Sequence, residues 1–312
     1  MRNAFPKNTL MCLDMVTLRS GEILSLCGNF NGPWYRARLT FYPHPKSTRI
    51  IQRKPYQKVS FETGYMILGC TKLLDLPGEQ HFLVHQSQID RVHRASRAFE
   101  GLSGDNLEQC QILIKTLDEI CGLGEDQHGL TGSGALHNIL PTSDFDWIIY
   151  SHNPTPVEAY VISSEKFERE LTFPMTYAYT KYAVFNGLAR TDIDALFKDR
   201  WKYFRFRDLR ISVSFVDPSM RVDNFLNTPV LGDRVLLEGV VTDGVGCYHM
   251  PRIIPLNGVG KNYQVLTWLF LYNGAFRTGD VVQVAGKTCV INRKEYILVE
   301  SAEDYIRKVG GR

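Results

Sequence analysis

Leu130-Thr131-Gly132-Ser133-Gly134-Ala135 and, a short spacer later, Ser143-Asp144-Phe145-Asp146-Trp147-Ile148-Ile149-Tyr150 are the segments from which the rest of this 312-residue chain is best read. Trp147 to Tyr150 is an apolar run of strand length, and the two aspartates lie one residue apart at its start. Side chains alternate across a strand, so Asp144 and Asp146 project from one face. Two carboxylates held that close repel, and each raises the other's pKa. A divalent cation removes the conflict: Mg²⁺ (or Mn²⁺) takes one or two carboxylates and completes its shell with phosphate oxygens and water. Gly132, Ser133 and Gly134 supply the complement, because glycines let backbone N–H groups approach phosphate oxygens and the serine hydroxyl adds a donor. Ser143, directly ahead of the acids, is counted with these nucleotide-binding residues. Either half alone is a common turn; in series, running into an apolar strand, they predict a metal-and-phosphate site.

Working outward, Asp105 opens an expected helix. Asp105-x-x-Glu108 reads as a capping-box-like start, and Leu107, Cys110, Leu113, Ile114, Leu117, Ile120 and Cys121 form one apolar stripe before Gly122 ends it. Upstream the chain reads as short β-runs: Met11 to Leu18 and Ile23 to Cys27 as a hairpin, then Tyr35 to Tyr42 as an alternating, half-buried strand. Downstream, Arg234 to Thr242, Ile253 to Leu256, Tyr263 to Tyr272, Val281 to Val290 and Tyr296 to Val299 predict a small closed barrel of the OB type, with Gly279-Asp280 as the turn into the fourth strand. The expectation is an α+β protein of three modules: a β-rich module at 1–97, a central domain of short mixed sheet and helices at 98–227, and an OB-like barrel at 228–312.

Gly132-Ser133 followed by Asp144-Phe145-Asp146-Trp147 resembles the signature of the DNA polymerase β-type nucleotidyltransferase superfamily. The wider layout is similar to an archaeal-type family of predicted nucleotidyltransferases, with a β-rich module before the motif and a small β module carrying a Gly-Asp-x-Val turn after it, here Gly279 to Val282. The resemblance implies that Asp144 and Asp146 bind Mg²⁺ or Mn²⁺, that Gly132 and Ser133 hold the β- and γ-phosphates of a nucleoside triphosphate, and that an acceptor hydroxyl displaces pyrophosphate. It also implies a third acid on a later strand. On the best candidate, Leu209 to Val216, Ser212 or Ser214 stands where the acid is expected; the nearest carboxylates are Asp208 and Asp217 at the two ends, and both are carried as catalytic candidates. The competing reading is a non-catalytic nucleotide- or nucleic-acid-binding protein with a degenerate site. A third makes the OB-like module the working part, with RNA or DNA as its ligand.

Composition narrows the classes without choosing among acceptors. Lys and Arg number 36 against 33 Asp and Glu, a net charge of +3, too small to announce a nucleic-acid partner by itself. The cations are instead local: Lys46, Arg49, Arg53, Lys54 and Lys58 in one stretch, and Lys198, Arg200, Lys202, Arg205 and Arg207 among the aromatics of an expected helix from Thr191 to Arg207. Both stretches are read first as solvated surface and second as phosphate contacts. With these the reading tilts slightly toward an RNA or DNA acceptor. Seven scattered cysteines with no C-x-x-C pair argue against zinc or a disulfide framework and for a reducing cytoplasm. No stretch is long and apolar enough to span a bilayer, so no membrane partner is expected. His81 and His85 form the one H-x-x-x-H pair, expected to be structural, and His137 is a weak phosphate-contact candidate.

Overall fold

The computed structural model describes residues 10–59, 65–76, 79–139, 143–170, 172, 175–176, 178–179, 187–222 and 230–309. The end of the spacer at 140–142 and the expected 227/228 boundary lie outside them. Over these residues the protein is mixed α+β, strand-rich with few helices, and the described strands form three assemblies.

The first assembly is a curled antiparallel sheet of β1 (Met15–Leu18), β2 (Ile23–Leu26), β3 (Trp34–Pro43), β4 (Ile50–Ile51), β5 (Lys54–Lys58), β6 (Thr71–Leu76), β7 (Glu79–His85) and β8 (Ile89–His93). The expected hairpin is β1–β2, with Met15 opposite Ser25. Strand β3 causes the curl. One of its edges pairs with β2 over residues 37–41, while the other pairs with β7 over 34–38 and then with β5 over 41–43. Alternation along β3 buries Tyr35, Ala37, Leu39 and Phe41, but Arg36 is also only 5% exposed.

In the centre run α1 (Gly104–Cys121), β9 (His128–Leu130), α2 (Gly132–Ala135), β10 (Phe145–Tyr150), α3 (Thr155–Ser163), β11 (Phe167–Arg169), α4 (Arg190–Phe197), β12 (Tyr203–Phe206) and β13 (Leu209–Val216). Their sheet has the order β11-β12-β13-β10-β9, with β10 and β13 parallel. Helix α1 buries Cys110, Leu113 and Leu117, and Gly122 ends it in the left-handed region at φ 68°. Its start differs from expectation: Ser103 is the N-cap, without a side-chain cap bond, and Asp105 lies in the first turn, where its charge suits the helix dipole. The expected helix from Thr191 to Arg207 is also corrected. It stops at Phe197, and Tyr203-Phe204-Arg205-Phe206 is strand β12, burying Phe204 and Phe206 with period two. Aromatics at every second position suit a half-buried strand better than a helix.

The third assembly holds β14 (Val230–Val241), β15 (Arg252–Gly258), β16 (Asn262–Thr267), β17 (Val281–Ile291), β18 (Lys294–Leu298) and β19 (Tyr305–Lys308). The path β14-β15-β16-β18-β17 returns to β14 and closes a five-stranded barrel, with β16 and β18 parallel and β19 added outside on β17. This closure is compatible with the OB-like expectation. The run expected to continue to Tyr272 ends as a strand at Thr267; residues 270–272 turn away as a short 3₁₀ helix.

The assemblies share one apolar core, in which Met15 and Phe41 of the first join Trp147 and Val213 of the second and Leu271 and Val284 of the third. Polar ties add direction. Thr131 Oγ1 donates to the Leu13 carbonyl at 2.7 Å, and the Phe270 amide donates to Glu79 Oε1 at 3.1 Å. Among the described residues no helix is long and apolar enough to cross a membrane.

Candidate functional site

Strand β10 brings the aspartates to the meeting point of all three assemblies. Trp147, Ile148, Ile149 and Tyr150 are buried, which fixes the register, and the strand lies between β9 and β13. Behind it, the Trp147 indole N–H donates to His128 Nδ1 at 3.1 Å, so the His128 proton is on Nε2, facing Asp118 Oδ1 at 2.8 Å. Burial lowers the pKa of His128, which keeps this acceptor neutral.

In front of β10 lies a cavity of about 220 Å³, lined by Gly132, Ser133, Asp144, Asp146, Lys202 and Ser212 among others. The Asp146 carboxylate, followed by burial, pushes Asp144 up to about 6, against the opposing pull of Lys58 and Arg210. The repulsion expected from the i, i+2 spacing is therefore present. The Thr131 amide donates to the Asp146 carbonyl at 2.9 Å, which turns the chain so that Gly132 backs onto the same side chain. Gly132 has φ +59°, and a Cβ there would stand 2.5 Å from Asp146 Oδ2. Only glycine fits this backbone and this approach together.

The neighbours of Asp146 follow the order of the strands across the sheet. Thr131 to Ser133 follow β9 on one flank of Asp146. On the other flank Ser212 of β13 stands level with it and donates from Oγ to Asp146 Oδ1 at 2.7 Å. Beyond Ser212, Tyr203 of β12 is its cross-strand partner, and Lys202 precedes it, its carbonyl accepting from the Val213 amide at 2.9 Å. Lys202 is 4% exposed, and its ammonium has no hydrogen-bond or ion-pair partner among the described residues. Burial and then the neighbouring Arg200 push its pKa well down, with Asp146 opposing.

The remaining sequence candidates separate clearly. Gly134 is buried, and a Cβ there would meet Leu130 Cβ at 2.9 Å; it serves the packing of α2 on β9. Ser143 adjoins the pair but is not among the residues lining the cavity. Asp208 is exposed in the β12–β13 turn, four residues along the strand from Ser212, or about 13 Å. Asp217 lies past the other end of β13, about 16 Å away by the same rise. Its carboxylate accepts from the Ser219 amide and hydroxyl, and its loop is held by Asn29 Nδ2, which donates to the Asp217 and Met220 carbonyls at 2.6 and 2.9 Å. Neither supplies a third carboxylate to the cavity. His137 packs its ring where a Cβ on Gly101 would sit, away from the lining.

Among the described residues no group of three or more His, Cys, Asp or Glu is placed to share a metal. Asp144 and Asp146 could supply two carboxylates to a hard cation, which would have to complete its shell with other oxygen ligands. His81 is not a ligand: it is buried, accepting from Arg36 Nε at 3.1 Å, with its other nitrogen 3.4 Å from Glu79.

Several lining residues have no counterpart in the sequence reading. Arg38 and Thr40 come from the polar face of β3, and Phe270 and Leu271 from the turn after β16. The Arg38 guanidinium lies over the Phe270 ring at 3.9 Å, and Arg200 donates to the Leu271 carbonyl. Lys58 and Lys202 were legible only as members of basic stretches. Burial of Arg200 and Lys202 was the missing signal, and no spacing in the sequence carries it. Comparisons of the chain with protein-family models, with curated proteins and with solved structures found no match.

Proposed function

We propose that the chain is a metal-dependent nucleotidyltransferase of the DNA polymerase β type, moving a nucleoside monophosphate from a nucleoside triphosphate to an acceptor oxygen with release of pyrophosphate. The observation that carries the reading is the contact of Gly132 with Asp146 at the mouth of one cavity, with Asp144 raised to about 6 beside them. Mg²⁺ or Mn²⁺ bound by the pair supplies charge neutralisation for the triphosphate and the departing pyrophosphate. Asp144 and Asp146 orient that charge. The Gly132 and Ser133 amides and the Ser133 hydroxyl hold phosphate oxygens, and the apolar walls Phe41, Phe197 and Leu271 exclude water. Phosphoryl-type transfer is mainly positioning and charge stabilisation, which these groups provide. Seven free cysteines suit a reducing compartment, so a cytoplasmic enzyme is part of the proposal.

Ser212 favours one alternative, a nucleotide-binding protein without turnover, because a hydroxyl donating to Asp146 stands level with the pair where a third acid is expected. One experiment separates the two. The protein is incubated with each α-³²P nucleoside triphosphate, Mg²⁺ or Mn²⁺, and cellular RNA, protein and small-molecule fractions, beside the Asp144→Asn/Asp146→Asn double variant. Label moved by the wild type alone establishes transfer. Metal-dependent triphosphate binding without pyrophosphate release establishes the binder. Equal transfer by a folded double variant removes the site from consideration.

A further inference from the structure

The flank of the cavity away from Gly132 and Ser133 presents hydroxyls and basic side chains and, among the described residues, no third carboxylate. In an in-line displacement the attacking and leaving oxygens lie on opposite sides of the α-phosphorus. If pyrophosphate departs toward Thr131 to Ser133 beside β9, the acceptor must approach over β13 and β12. That flank presents Ser212, donating to Asp146, where a carboxylate would help hold a second cation. Next to it is Lys202, 4% exposed and without a polar partner for its ammonium among the described residues. Arg210 stands two residues before Ser212 on the same strand face, level with Asp144 through the Phe145–Ile211 pairing. Burying an ammonium without a counter-ion is costly, and an arriving anion relieves that cost.

Resting on the nucleotidyltransferase reading, we infer that the acceptor is a phosphate monoester, held by Lys202 at the floor and Arg210 at the rim of the β12–β13 flank, and that its phosphate oxygen is the nucleophile. A phosphate monoester has its second pKa near ~6 and carries a charge of roughly −1.5 to −2 at pH 7. Its oxygen attacks already ionised, so the step needs no general base. A new P–O bond forms between that oxygen and the α-phosphorus, and the bond from the α-phosphorus to the bridging oxygen of the β-phosphate breaks. Pyrophosphate leaves with that electron pair, the product is a diphosphate diester, and no proton passes to the protein. This explains why serine is compatible with turnover where the third acid is expected, since hydroxyl activation is the task that acid would serve.

The test is binding, not turnover. Wild-type protein is loaded with Mg²⁺ and the α,β-methylene analogue of each nucleoside triphosphate, then titrated with inorganic phosphate by calorimetry. Phosphate is expected to bind the loaded protein, Lys202→Met to weaken it at least tenfold, and Arg210→Gln to weaken it several-fold, with analogue affinity changed less than twofold in both. Arg210 is exposed, so its variant keeps the test informative should Lys202→Met fail to fold. Analogue binding without any phosphate binding at millimolar concentration overturns the inference. So does a loss of analogue affinity in Lys202→Met with phosphate binding intact, which would assign the lysine to the donor's own phosphates. Failure of every analogue to bind the wild type instead sinks the nucleotidyltransferase reading, and the acceptor inference with it.

Discussion

Removing one carboxylate from the metal-free site should stabilise the protein, and the effect should follow pH in a defined way. In Asp144→Asn the amide keeps the shape of the side chain but ends the repulsion with Asp146. Asp144 is raised from 3.8 to about 6 in the folded chain. Between those values the folded state holds a proton that the unfolded state has released, so stability falls as pH rises through the window. At about 1.4 kcal/mol per pKa unit the wild type gives up at most about 3 kcal/mol above pH 6. Because the shift is shared with Asp146, about 1–3 kcal/mol is the expected gain for the variant, or very roughly 2 °C in melting temperature per kcal/mol. The assay is urea unfolding in chelator from pH 4 to pH 8, for wild type and variant side by side. The variant's advantage should be full above pH 6 and fade as pH falls toward 3.8. Adding Mn²⁺ at pH 7.5 should then stabilise the wild type more than the variant. An Asp144→Asn protein that is less stable than wild type at pH 8, or a difference that ignores pH, would refute the electrostatic account of the pair.

Two further substitutions probe the neighbours of Asp146. Gly132→Ala places a methyl 2.5 Å from Asp146 Oδ2 at a backbone φ of +59°; a loss of about 1–2 kcal/mol in chemical denaturation is expected, with metal-dependent nucleotide affinity reduced at least tenfold. Ser212→Asp places a third carboxylate beside Asp146 in place of the donated hydrogen bond of 2.7 Å. The metal-free protein should become less stable at pH 8, while Mn²⁺ affinity, read by titration calorimetry, should rise; an unchanged Mn²⁺ affinity would show that residue 212 does not face the metal position.

The stretch Phe145 to Tyr150 was legible because a buried strand leaves a local trace: an apolar run, with polar residues at every second position where it meets the cavity. The same holds for the β1–β2 hairpin, for the stripe of α1 with Gly122 at its end, and for the five barrel strands, each governed by neighbours within a few residues. Where local signals conflicted, the reading slipped. Basic and aromatic residues from Thr191 to Arg207 read as one helix, although Phe204 and Phe206 bury with strand period because β13 lies alongside to pair with them.

The sequence by itself determined that Asp144 and Asp146 share a face and that glycines precede them, since i, i+2 geometry is a property of any strand. Only the tertiary structure decided what surrounds the pair. Asp208 and Asp217 are the acids nearest to Ser212 in sequence, yet a turn and the Asn29 clamp take both out of the cavity. Arg38, more than a hundred residues away, and Phe270, on a turn in the barrel region, enter it instead. The reason is physical: a strand fixes which way a side chain points, whereas the charge and burial it meets there depend on which other strands fold against it.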